Sequence, residues 1–584
     1  MTDSVSIIPD LLRQRRAEAP DVTALVVDGG PTLTYREWDD RANAVAHGLV
    51  AAGVRPGDPV ALVFDNAHWT DYAVAYAGVL KAGGAAVPLG PRFAGPELLQ
   101  VVRHSGATAV ISGRPLGIDP TVASMSLAAV ESGGDVTPIQ AGREPDDVAE
   151  ILYTSGTTGV PKGVACSHRG LLFHDPPPEP EPSGDGRASF VHAFPIGTNA
   201  GQEVLRVPLR RSDRTAIALP AFDPNRYCAL IAEHGVRRLQ LVPAMAQLIV
   251  ASAATDGHDV SSVERVILSS APSSPALLAA LAKAFPSAAL WNTYALTEAG
   301  TARTLLVDAT SRPESVGRPV GGTELLIVDD QAAPVATGTP GEIWIRRPGA
   351  PTRFYYRDPE ATAATFGPDG WVHTGDVGYV DDEGYLYLVD RKKDLIIVGG
   401  LNVSSVEVEN VLLEHPAVGE AAVFAVPHPV LGQDVAAAVV ALSPVSPGGL
   451  QGFVRSRLGE HKVPHRLFLV DELPRTATGK VSKYQLREQY RAAPAAAPVV
   501  TPRDELEATV VAIWESVLDH RPISVDADFF DLGGHSLAAT QIMARLEAAT
   551  GTALALATIF ESPTPAGLAT AVRQRQTAGE DPLP

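Results

Sequence analysis

The stretch "ILYTSGTTGVPKGV", residues 151–164, decides how the rest of the chain is interpreted. A strand-like start runs into a segment dense in serine, threonine and glycine, which ends in Lys162. Glycines let backbone N–H groups approach a ligand, hydroxyls donate hydrogen bonds, and the lysine adds positive charge, so the stretch suits a polyphosphate. It is not a Walker loop, because Gly163 rather than Ser or Thr follows Lys162. Taken alone, it is also compatible with a plain Gly/Ser turn.

The chain on both sides of this stretch alternates strand-like and helical patterns. "TALVVDG" and "PVALVFD" predict strands, and "TYREWDDRANAVAHGLVAAG" has apolar residues at helical spacing before a closing glycine. This alternation is typical of parallel α/β layers. From about residue 320 the pattern changes to shorter β-rich stretches such as "TELLIVDD" and "GEIWIRR". The sequence therefore predicts a large α/β domain with a β-rich end.

At 584 residues the chain is too long for one hydrophobic core. "RAAPAAAPVVTP" is a Pro/Ala stretch of the kind that links domains, and "DELEATVVAIWESVLD" after it predicts an amphipathic helix with an acidic first turn. "HDPPPEPEPSGDGR", residues 174–187, predicts a flexible surface loop. We predict a core domain, a small α+β domain, a linker, a helical domain and a disordered tail, over residues 1–390, 391–490, 491–502, 503–575 and 576–584.

Composition excludes several classes of partner. The formal net charge is −20, from 67 acidic against 47 basic residues, and no basic stripe offsets it, so we expect no nucleic-acid or membrane partner. Cys166 and Cys228 have neither metal-ligand spacing nor a disulfide pattern and are interpreted as small core residues. The sequence has no apolar run of membrane-spanning length and no signal-peptide pattern at its start. We expect a cytoplasmic monomer.

Further blocks carry a family resemblance. In chain order they read "LTYREWDDRANAVAHGL", "LKAGGAAVPLGP", "NTYALTE", "WVHTGD", "DRKKDLIIVGGLNVSSVEVE" and "TATGKVSK". With "YTSGTTGVPKGV" they resemble the adenylate-forming superfamily, which includes acyl-CoA synthetases, firefly-type luciferases and the adenylation domains of nonribosomal peptide synthetases. The resemblance covers roughly residues 5–490. It implies a core domain of layered β-sheets with helices and a small β-barrel-like part, followed by an α+β lid domain.

The resemblance also implies a two-step reaction and a nucleotide site. A carboxylate attacks the α-phosphate of ATP to give an acyl-adenylate and pyrophosphate, and a thiol then displaces AMP. Preorganised donors and cations would stabilise the charge that builds on the phosphoryl oxygens. The implied ligands of the β- and γ-phosphates are Ser155, Gly156, Thr157, Thr158, Gly159 and Lys162. Of the other implied contacts, Thr297 assists at the α-phosphate, Glu298 binds Mg²⁺, Tyr294 stacks on adenine, Asp376 binds ribose, and Arg391 contacts ribose or phosphate.

Two lysines gain roles only through the resemblance. Lys480 in "TGKVSK" matches a lysine that bridges the carboxylate and the α-phosphate during adenylation, although a lysine after glycine is ordinarily a solvated turn residue. Lys393 in "RKKD" matches a hinge at which the small domain rotates between the half-reactions, although such a run is ordinarily a solvated charged surface.

The stretch "DLGGHSLAAT", residues 531–540, raises a separate question about Ser536. A serine at a helix start is most often an N-cap. A hydrolase elbow, G-x-S-x-G, fails because residue 538 is alanine. The stretch resembles the attachment site of acyl and peptidyl carrier domains, which are four-helix bundles. The resemblance implies that Ser536 carries 4′-phosphopantetheine and that His535 belongs to a recognition motif rather than acting as a base.

The acid is the least determined feature. Family members that activate amino acids pair an aspartate, in a stretch resembling "FDxS", with the substrate's ammonium group, and residues 190–205, "FVHAFPIGTNAGQEVL", contain no aspartate. "HAFP" resembles the "HNYP" of enzymes that activate aryl acids, with Ala193 in place of the polar residue, while another register would place Asn199 in the pocket. The sequence favours an aryl or other non-α-amino acid, with an unusual amino acid as the alternative. The predicted pocket residues are His192, Ala193, Phe194, Asn199, Ser270, Ala271 and Ala295.

The combined prediction is an adenylation domain fused to its own carrier domain, which uses ATP, Mg²⁺ and 4′-phosphopantetheine. Alternatives are an enzyme that acylates free coenzyme A, with the tail as a partner-binding module, and an inactive scaffold, which the intact candidate residues disfavour. The expected partners are a small carboxylic acid, a phosphopantetheinyl transferase and a downstream synthase or tailoring enzyme. The expected setting is specialised metabolism of the nonribosomal peptide or polyketide type, such as antibiotic biosynthesis.

Overall fold

The computed structural model describes residues 5–90, 93, 95–113, 123–139, 142–154, 161–173, 188–211, 213–271, 273–428, 431–476, 479–491, 499–518, 521–527, 529, 532 and 536–578. The chain divides into two compact units. Unit 1 is Met1–Lys393 with Arg475–Val481, and unit 2 is Asp394–Pro474 with Ser482–Pro584.

The regular elements of the described residues are as follows. The helices are α1 Ile8–Glu18, α2 Tyr35–Ala51, α3 Trp69–Lys81, α4 Gly95–Ser105, α5 Leu127–Glu131, α6 His168–Leu172, α7 Asn199–Arg210, α8 Pro224–His234, α9 Pro243–Ala251, α10 Pro275–Ala284, α11 Pro359–Thr365, α12 Ser405–Leu413, α13 Pro447–Arg455, α14 Lys483–Tyr490, α15 Glu505–Leu518, α16 Ser536–Thr550, α17 Ala557–Glu561 and α18 Pro565–Ala578. The strands are β1 Thr23–Val27, β2 Thr32–Thr34, β3 Pro59–Val63, β4 Ala85–Leu89, β5 Ala109–Ser112, β6 Ala123–Ser126, β7 Val148–Thr154, β8 Lys162–Ser167, β9 Ala188–His192, β10 Arg214–Ala218, β11 Arg238–Leu241, β12 Arg265–Leu268, β13 Ala289–Ala295, β14 Arg303–Leu306, β15 Ser315–Val320, β16 Glu324–Val328, β17 Gly341–Arg346, β18 Phe354–Tyr355, β19 Val372–Val380, β20 Leu386–Arg391, β21 Ile396–Val398, β22 Leu401–Val403, β23 Val418–His428, β24 Gly432–Ala441 and β25 Arg466–Leu469.

A seven-stranded sheet of unit 1 has the strand order β18-β8-β7-β4-β3-β5-β6. Its strand β7 contains residues 151–154, the start of the predicted phosphate loop. Its strands β6, β5, β3, β4 and β7 are parallel, while β8 and β18 join antiparallel. All residues of β3 and β4 are buried, as expected for parallel strands covered on both faces. The strands predicted from "TALVVDG" and "PVALVFD" are β1 and β3, and the predicted helix is α2.

A nine-stranded sheet, in the order β11-β12-β13-β14-β15-β20-β19-β17-β16, forms the other large layer of unit 1. Strands β11, β12 and β13 are parallel, so the segments that follow them meet at one edge of the sheet. The remaining strands pair antiparallel and enclose a separate apolar core that includes Ile343, Ile345 and Leu386. These strands are the β-rich end that the sequence predicts as barrel-like. A four-stranded sheet, β2-β1-β10-β9, completes the unit.

Unit 2 contains two separate hydrophobic cores. Strands β21–β25 and their helices surround one, and α15–α18 surround the other. The second core is centred on Trp514, which has no exposed surface and meets Phe529 edge-to-face at 5.4 Å. The predicted fold class, a large α/β domain with an α+β domain and a four-helix carrier domain, is confirmed.

The predicted surface loop, residues 174–187, lies outside the described residues, and so do residues 492–498 of the predicted linker. The division between the units follows Lys393, three residues after the predicted end of the core domain. Helix α18 continues to Ala578, so residues 576–578, expected to begin the disordered tail, are helical. No helix in the described part of the chain is long and apolar enough to cross a membrane. Both cysteines are free and buried, as predicted.

Candidate active site

Strands β7 and β8 form a hairpin around the predicted phosphate loop. They pair antiparallel, with Thr154 opposite Lys162. Residues 155–160, which include the predicted ligands Ser155 to Gly159, lie outside the described residues. The Lys162 ammonium lies 4.8 Å from the centroid of the Tyr355 ring. The hairpin therefore places one predicted phosphate ligand beside Tyr355, a residue that sequence analysis did not identify.

Glu298 connects the ends of the two large sheets. Its Oε1 accepts hydrogen bonds from the Tyr355 hydroxyl at 3.0 Å and the Thr154 hydroxyl at 3.4 Å. Burial, and then the Glu298 charge, raise the pKa of Tyr355 well above its ordinary value, so the phenol stays a donor. The Thr297 carbonyl accepts a hydrogen bond from Arg353 Nη1. The turn that carries both predicted residues is thus held by three side chains.

The surroundings of Glu298 fit a magnesium ion shared with a polyphosphate. Oxygen is the ligand type that Mg²⁺ takes, and the ion is typically held by one or two carboxylates together with substrate phosphates. No group of three His, Cys, Asp or Glu side chains among the described residues could hold a metal without a substrate. A single carboxylate beside Lys162 and the phosphate hairpin meets this requirement.

Asp376 is held by two predicted neighbours. The Tyr294 hydroxyl donates to its Oδ2 at 2.7 Å, and Arg391 Nε lies 3.2 Å from its Oδ1. Asp376 and Arg391 are cross-strand partners on β19 and β20, which explains their proximity. The Tyr294 ring is 7% exposed and packs in the apolar core of the antiparallel strands. The predicted nucleoside residues therefore come together, and the adenine stack of Tyr294 stays a prediction.

Lys480 belongs to unit 1 through the short segment Arg475–Val481. A tight turn displays it: Gly479 has a φ of +87°, and the Thr476 N–H donates to the Lys480 carbonyl at 2.8 Å. The side chain retains exposed surface, yet surrounding protein lowers the pKa of its ammonium by desolvation, and the Arg391 charge lowers it further. Glu298 and Asp376 act in the opposite direction. Lys480 therefore interacts electrostatically with both predicted carboxylates of the nucleotide site, Glu298 and Asp376.

The predicted acyl-pocket residues separate into two groups. His192 and Phe194 have 0% and 2% exposure. The His192 ring contacts Trp69 and Phe194, and neither ring nitrogen has a hydrogen-bond partner among the described residues. Burial lowers the pKa of this ring to about 3. Ala193 is partly buried against the same core. His192 is thus a neutral residue packed in the interior of unit 1.

The second group lies at accessible edges. Ser270, Ala271 and Ala295 are exposed and lie at or just after the ends of the parallel strands β12 and β13. Ser270 has a left-handed backbone at φ +74°, which is uncommon for serine and costs conformational energy. Asn199 begins α7, and the Thr198 hydroxyl caps this helix by accepting from the Gly201 N–H at 3.1 Å. These four residues have surface available to a substrate.

A buried ionic network fixes α7. Arg206, 1% exposed, contacts Glu150 of β7 at 3.4 Å and Glu203 at 2.8 Å, and Arg210 contacts the other oxygen of Glu203 at 3.1 Å. The Tyr76 hydroxyl donates to Glu150 at 3.0 Å. Burial opposes ionisation of Glu203, but the two arginines outweigh it and hold the pKa of this carboxyl well below its ordinary value. Both acids near α7 therefore have cationic partners already.

The predicted attachment residue, Ser536, lies at the start of a long helix. Ser536 is the first residue of α16, which has 15 residues, and His535 lies outside the described residues. The N-terminus of a helix of this length favours a negatively charged phosphate. The backbone position of Ser536 thus fits a phosphopantetheine attachment.

Comparison with known proteins gives the family. A family model described as AMP-binding enzyme matches residues 12–356, more than half of the chain. The chain belongs to the AMP-binding enzymes. Within this AMP-binding enzyme, residues 407–480 match the C-terminal domain of the family, and residues 508–572 match a phosphopantetheine attachment site.

Relatives of this AMP-binding enzyme include a ligase, a peptide synthase and a CoA synthetase. The fatty acid–[acyl-carrier-protein] ligase ScoC of Streptomyces coeruleorubidus is 32% identical over 497 residues, covering 81% of this chain and 95% of the relative. A linear gramicidin synthase of Brevibacillus parabrevis is 30% identical over 577 residues, covering 95% of this chain and 7% of that protein. The solved o-succinylbenzoate CoA synthetase (MenE) of Bacillus subtilis, in complex with its acyl-adenylate, has a TM-score of 0.72 at 27% identity, covering 82% of this chain and 98% of that one.

The AMP-binding enzyme is therefore an AMP-forming acid–thiol ligase with an attached carrier domain. It uses ATP with Mg²⁺ to convert a carboxylic acid into an acyl-adenylate, and its carrier domain takes 4′-phosphopantetheine. Sequence reasoning missed Tyr355 and Arg353, which hold Glu298 and Thr297. Neither lies in a recognisable motif, and each is more than 50 residues from its partner in the chain.

Proposed function

We propose that this enzyme activates a carboxylic acid that lacks an α-ammonium group and transfers it to the phosphopantetheine arm on its own Ser536. The favoured substrate is an aromatic acid. The observation that carries the choice of acid is the charge balance around α7. Glu203 is the one acid in residues 190–205, and its two oxygens are bonded to Arg206 and Arg210. A substrate ammonium would need a carboxylate partner when buried. An uncharged acyl group needs none.

Two further features support an aromatic acid. Ser270, Ala271 and Ala295 at the ends of strands β12 and β13, and Asn199 at the start of α7, are small or polar residues with accessible surface, which would leave room for a flat substituent. The solved relative that carries an o-succinylbenzoyl adenylate acts on an acid with an aromatic ring. In this proposal His192 and Phe194 back the pocket from the core, and Ala193 borders it.

The nucleotide residues receive roles by position. Lys162 and the loop over residues 155–160 hold the β- and γ-phosphates, Thr297 assists at the α-phosphate, and Glu298 binds Mg²⁺. Asp376 and Arg391 hold the ribose, with Tyr294 against the adenine. Lys480 bridges the attacking carboxylate and the α-phosphate, where its positive charge offsets the charge that develops during transfer.

The second half-reaction requires the thiol of the prosthetic arm. The arm's thiol loses its proton to solvent and its sulfur attacks the acyl carbon. The bond between that carbon and the adenylate oxygen then breaks, and AMP leaves with the electron pair. Lys393, the last residue of unit 1 before the division, is proposed as the hinge for the change between half-reactions. A phosphopantetheinyl transferase supplies the arm, and a downstream synthase or tailoring enzyme removes the acyl group.

Substrate choice is tested by ATP–pyrophosphate exchange over a panel of benzoic and cinnamic acids, straight-chain fatty acids and α-amino acids. We expect the highest kcat/KM with an aromatic acid. An exchange signal that is strongest with a common α-amino acid would contradict the charge argument around α7.

Self-loading is tested by intact-mass spectrometry after treatment with a phosphopantetheinyl transferase and coenzyme A, followed by ATP and the preferred acid. Wild type should gain the prosthetic mass and then the acyl mass, at a rate independent of protein concentration. Ser536→Ala should gain neither, whereas Ser562→Ala, a matched change in the same domain, should behave as wild type. Acyl-CoA formation without acylated protein would favour free coenzyme A as the acceptor.

A further inference from the structure

Side chains hold the loop that joins β9 to α7, residues 193–198, by its backbone carbonyls. Four successive carbonyl oxygens, those of residues 193 to 196, each accept a hydrogen bond from a side chain. The donors are Asn66, Thr198 and Gln202. A loop has no ladder of backbone hydrogen bonds, so side-chain partners decide where its carbonyl groups point. The loop contains two predicted acyl-pocket residues, and its conformation therefore depends on these three donors.

Two of the donors are close to the loop in the chain. The Thr198 hydroxyl donates to the Pro195 carbonyl at 2.7 Å, and the Gln202 amide donates to the Ile196 carbonyl. Gln202 is completely buried, and its Oε1 accepts a hydrogen bond from the Tyr72 hydroxyl at 2.6 Å. Tyr72 thus holds the amide in the orientation that turns its nitrogen towards the loop. The second half of the loop is therefore anchored to α7 and, through Tyr72, to α3.

Asn66 anchors the first half of the loop from a distant part of the chain. Its amide nitrogen lies 3.4 Å from the Ala193 carbonyl oxygen and 3.2 Å from the Phe194 carbonyl oxygen. An amide NH₂ group has two N–H donors, so one asparagine can serve two carbonyls at once. Asn66 begins a short 3-10 helix between β3 and α3, which Asp65 caps by accepting from the Ala67 N–H at 3.1 Å. The position of the Asn66 side chain is thus set by a capped turn.

The loop lies against the ends of two parallel strands of the seven-stranded sheet. Asn66 follows β3, and a Cβ at Gly197 would come within 2.7 Å of the nitrogen of Gly90, the residue after β4. Strands β3 and β4 are parallel neighbours, so both contacts are at their carboxyl ends. Proteins with open α/β sheets bind ligands at this edge of the sheet. Asn66 therefore holds the predicted pocket loop at an edge where a substrate is expected.

We propose that Asn66 is a positioning residue for the acid: its two hydrogen bonds fix the backbone that carries Ala193 and so set the width of the acyl pocket. The inference rests on the proposed function, in which Ala193 borders that pocket. A hydrophobic pocket of fixed width discriminates between acids that differ by one methylene group by about 10- to 200-fold. Without Asn66, two carbonyls lose their donor and the backbone at 193 and 194 is free to shift, so this discrimination should weaken.

The test is ATP–pyrophosphate exchange by Asn66→Asp with the acid of the panel that gives wild type its highest kcat/KM. Aspartate keeps the size of the side chain but has no N–H, and its charge faces two carbonyl oxygens. We expect the KM for the acid to rise about tenfold, the loss expected for two neutral hydrogen bonds, and the KM for ATP to stay within about twofold of wild type. The kcat/KM ratio between this acid and the same acid with one added methyl group should fall at least about fivefold.

Two further variants make the comparison independent of folding and of charge. Asn66→Ser carries the test if Asn66→Asp does not fold: it should raise the KM for the acid at least about threefold, because a hydroxyl replaces no more than one of the two bonds. Gln451→Glu is the matched control. The Gln451 amide also donates to two successive carbonyls, those of Pro464 and His465 at 2.9 and 3.0 Å, but in unit 2. This variant should leave the KM for the acid within about twofold of wild type.

Ala193→Leu separates this inference from the proposed pocket. The added side-chain volume should raise the KM for the acid if Ala193 borders the acyl group. A rise with Ala193→Leu but wild-type kinetics with both Asn66 variants would overturn the positioning role and leave the proposed pocket intact. If none of these variants affects the KM for the acid, the pocket assignment fails and the inference fails with it. Equal rises in the KM values for the acid and for ATP, unchanged discrimination between the two acids, or the same change in Gln451→Glu would also overturn it.

Discussion

Tyr355→Phe isolates the hydrogen bond that holds Glu298. The substitution removes one hydroxyl and keeps the buried ring beside Lys162, so it deletes the 3.0 Å bond to Glu298 Oε1 and preserves the packing of the ring. The remaining bond, from Thr154, is long at 3.4 Å. A hydrogen bond to a charged group contributes about 1.5–3 kcal/mol, which corresponds to roughly a ten- to hundredfold loss if it acts fully in the transition state.

We expect Tyr355→Phe to lower kcat/KM for ATP by at least about tenfold and to raise the Mg²⁺ concentration needed for half-maximal ATP–pyrophosphate exchange. The KM for the acid should change by less than about twofold, because Glu298 is proposed to hold Mg²⁺ and not the acid. Tyr356→Phe is the matched control: it makes the same chemical change at the next residue and should be neutral. Equal activity and Mg²⁺ dependence in Tyr355→Phe and wild type would refute the role given to this bond.

Three further predictions concern other parts of the chain. In a plot of kcat/KM for ATP against pH, activity should fall on the basic side at a pH below the ordinary lysine pKa of 10.5, because Lys480 must stay protonated and its pKa is lowered. Arg391→Gln should move this fall in activity to higher pH, because it removes a like charge near Lys480, and an unchanged profile would contradict the assignment. Arg206→Met should lower the free energy of unfolding of unit 1 by about 3–5 kcal/mol, measured as a lower first melting temperature. Adding Glu150→Gln should recover much of this loss, and a double variant that is no more stable than Arg206→Met would rule out the ion pair as the cause. Trp514→Ala should lower the free energy of unfolding of the carrier domain by about 3–5 kcal/mol and abolish phosphopantetheinylation, while ATP–pyrophosphate exchange persists. Loss of both phosphopantetheinylation and exchange would contradict the separation of the two cores.

The sequence predicts those parts of the fold that local patterns determine. Apolar runs such as "PVALV" become buried strands, and the strand-like start of the stretch 151–164 lies in β7, where Thr154 is opposite Lys162 of β8. The family blocks predict Glu298, Asp376, Arg391 and Lys480, and the structure brings these four charges near one another.

Contacts between distant segments could not be predicted. Tyr355 meets Glu298 only because β18 joins β8 at the edge of a sheet, and pairing across such separations leaves no periodicity in a single sequence. The burial of His192 could not be predicted either: the ring lies in the interior, packed against Trp69 and Phe194. Part of its surroundings comes from helix α3, which is far from it in the chain.

The membership of Arg475–Val481 in unit 1 bears on how such enzymes can be recombined. The chain passes the division between units after Lys393, after Pro474 and again after Val481. A chimera joined at the first of these points would take the turn that displays Lys480 from a foreign parent, and with it the fit of that turn to Asp376 and Glu298. Exchange of the carrier alone, by a junction beyond Arg491, keeps the native turn with its own core. Module swaps in this family should therefore tolerate a junction beyond Arg491 better than a junction at Lys393.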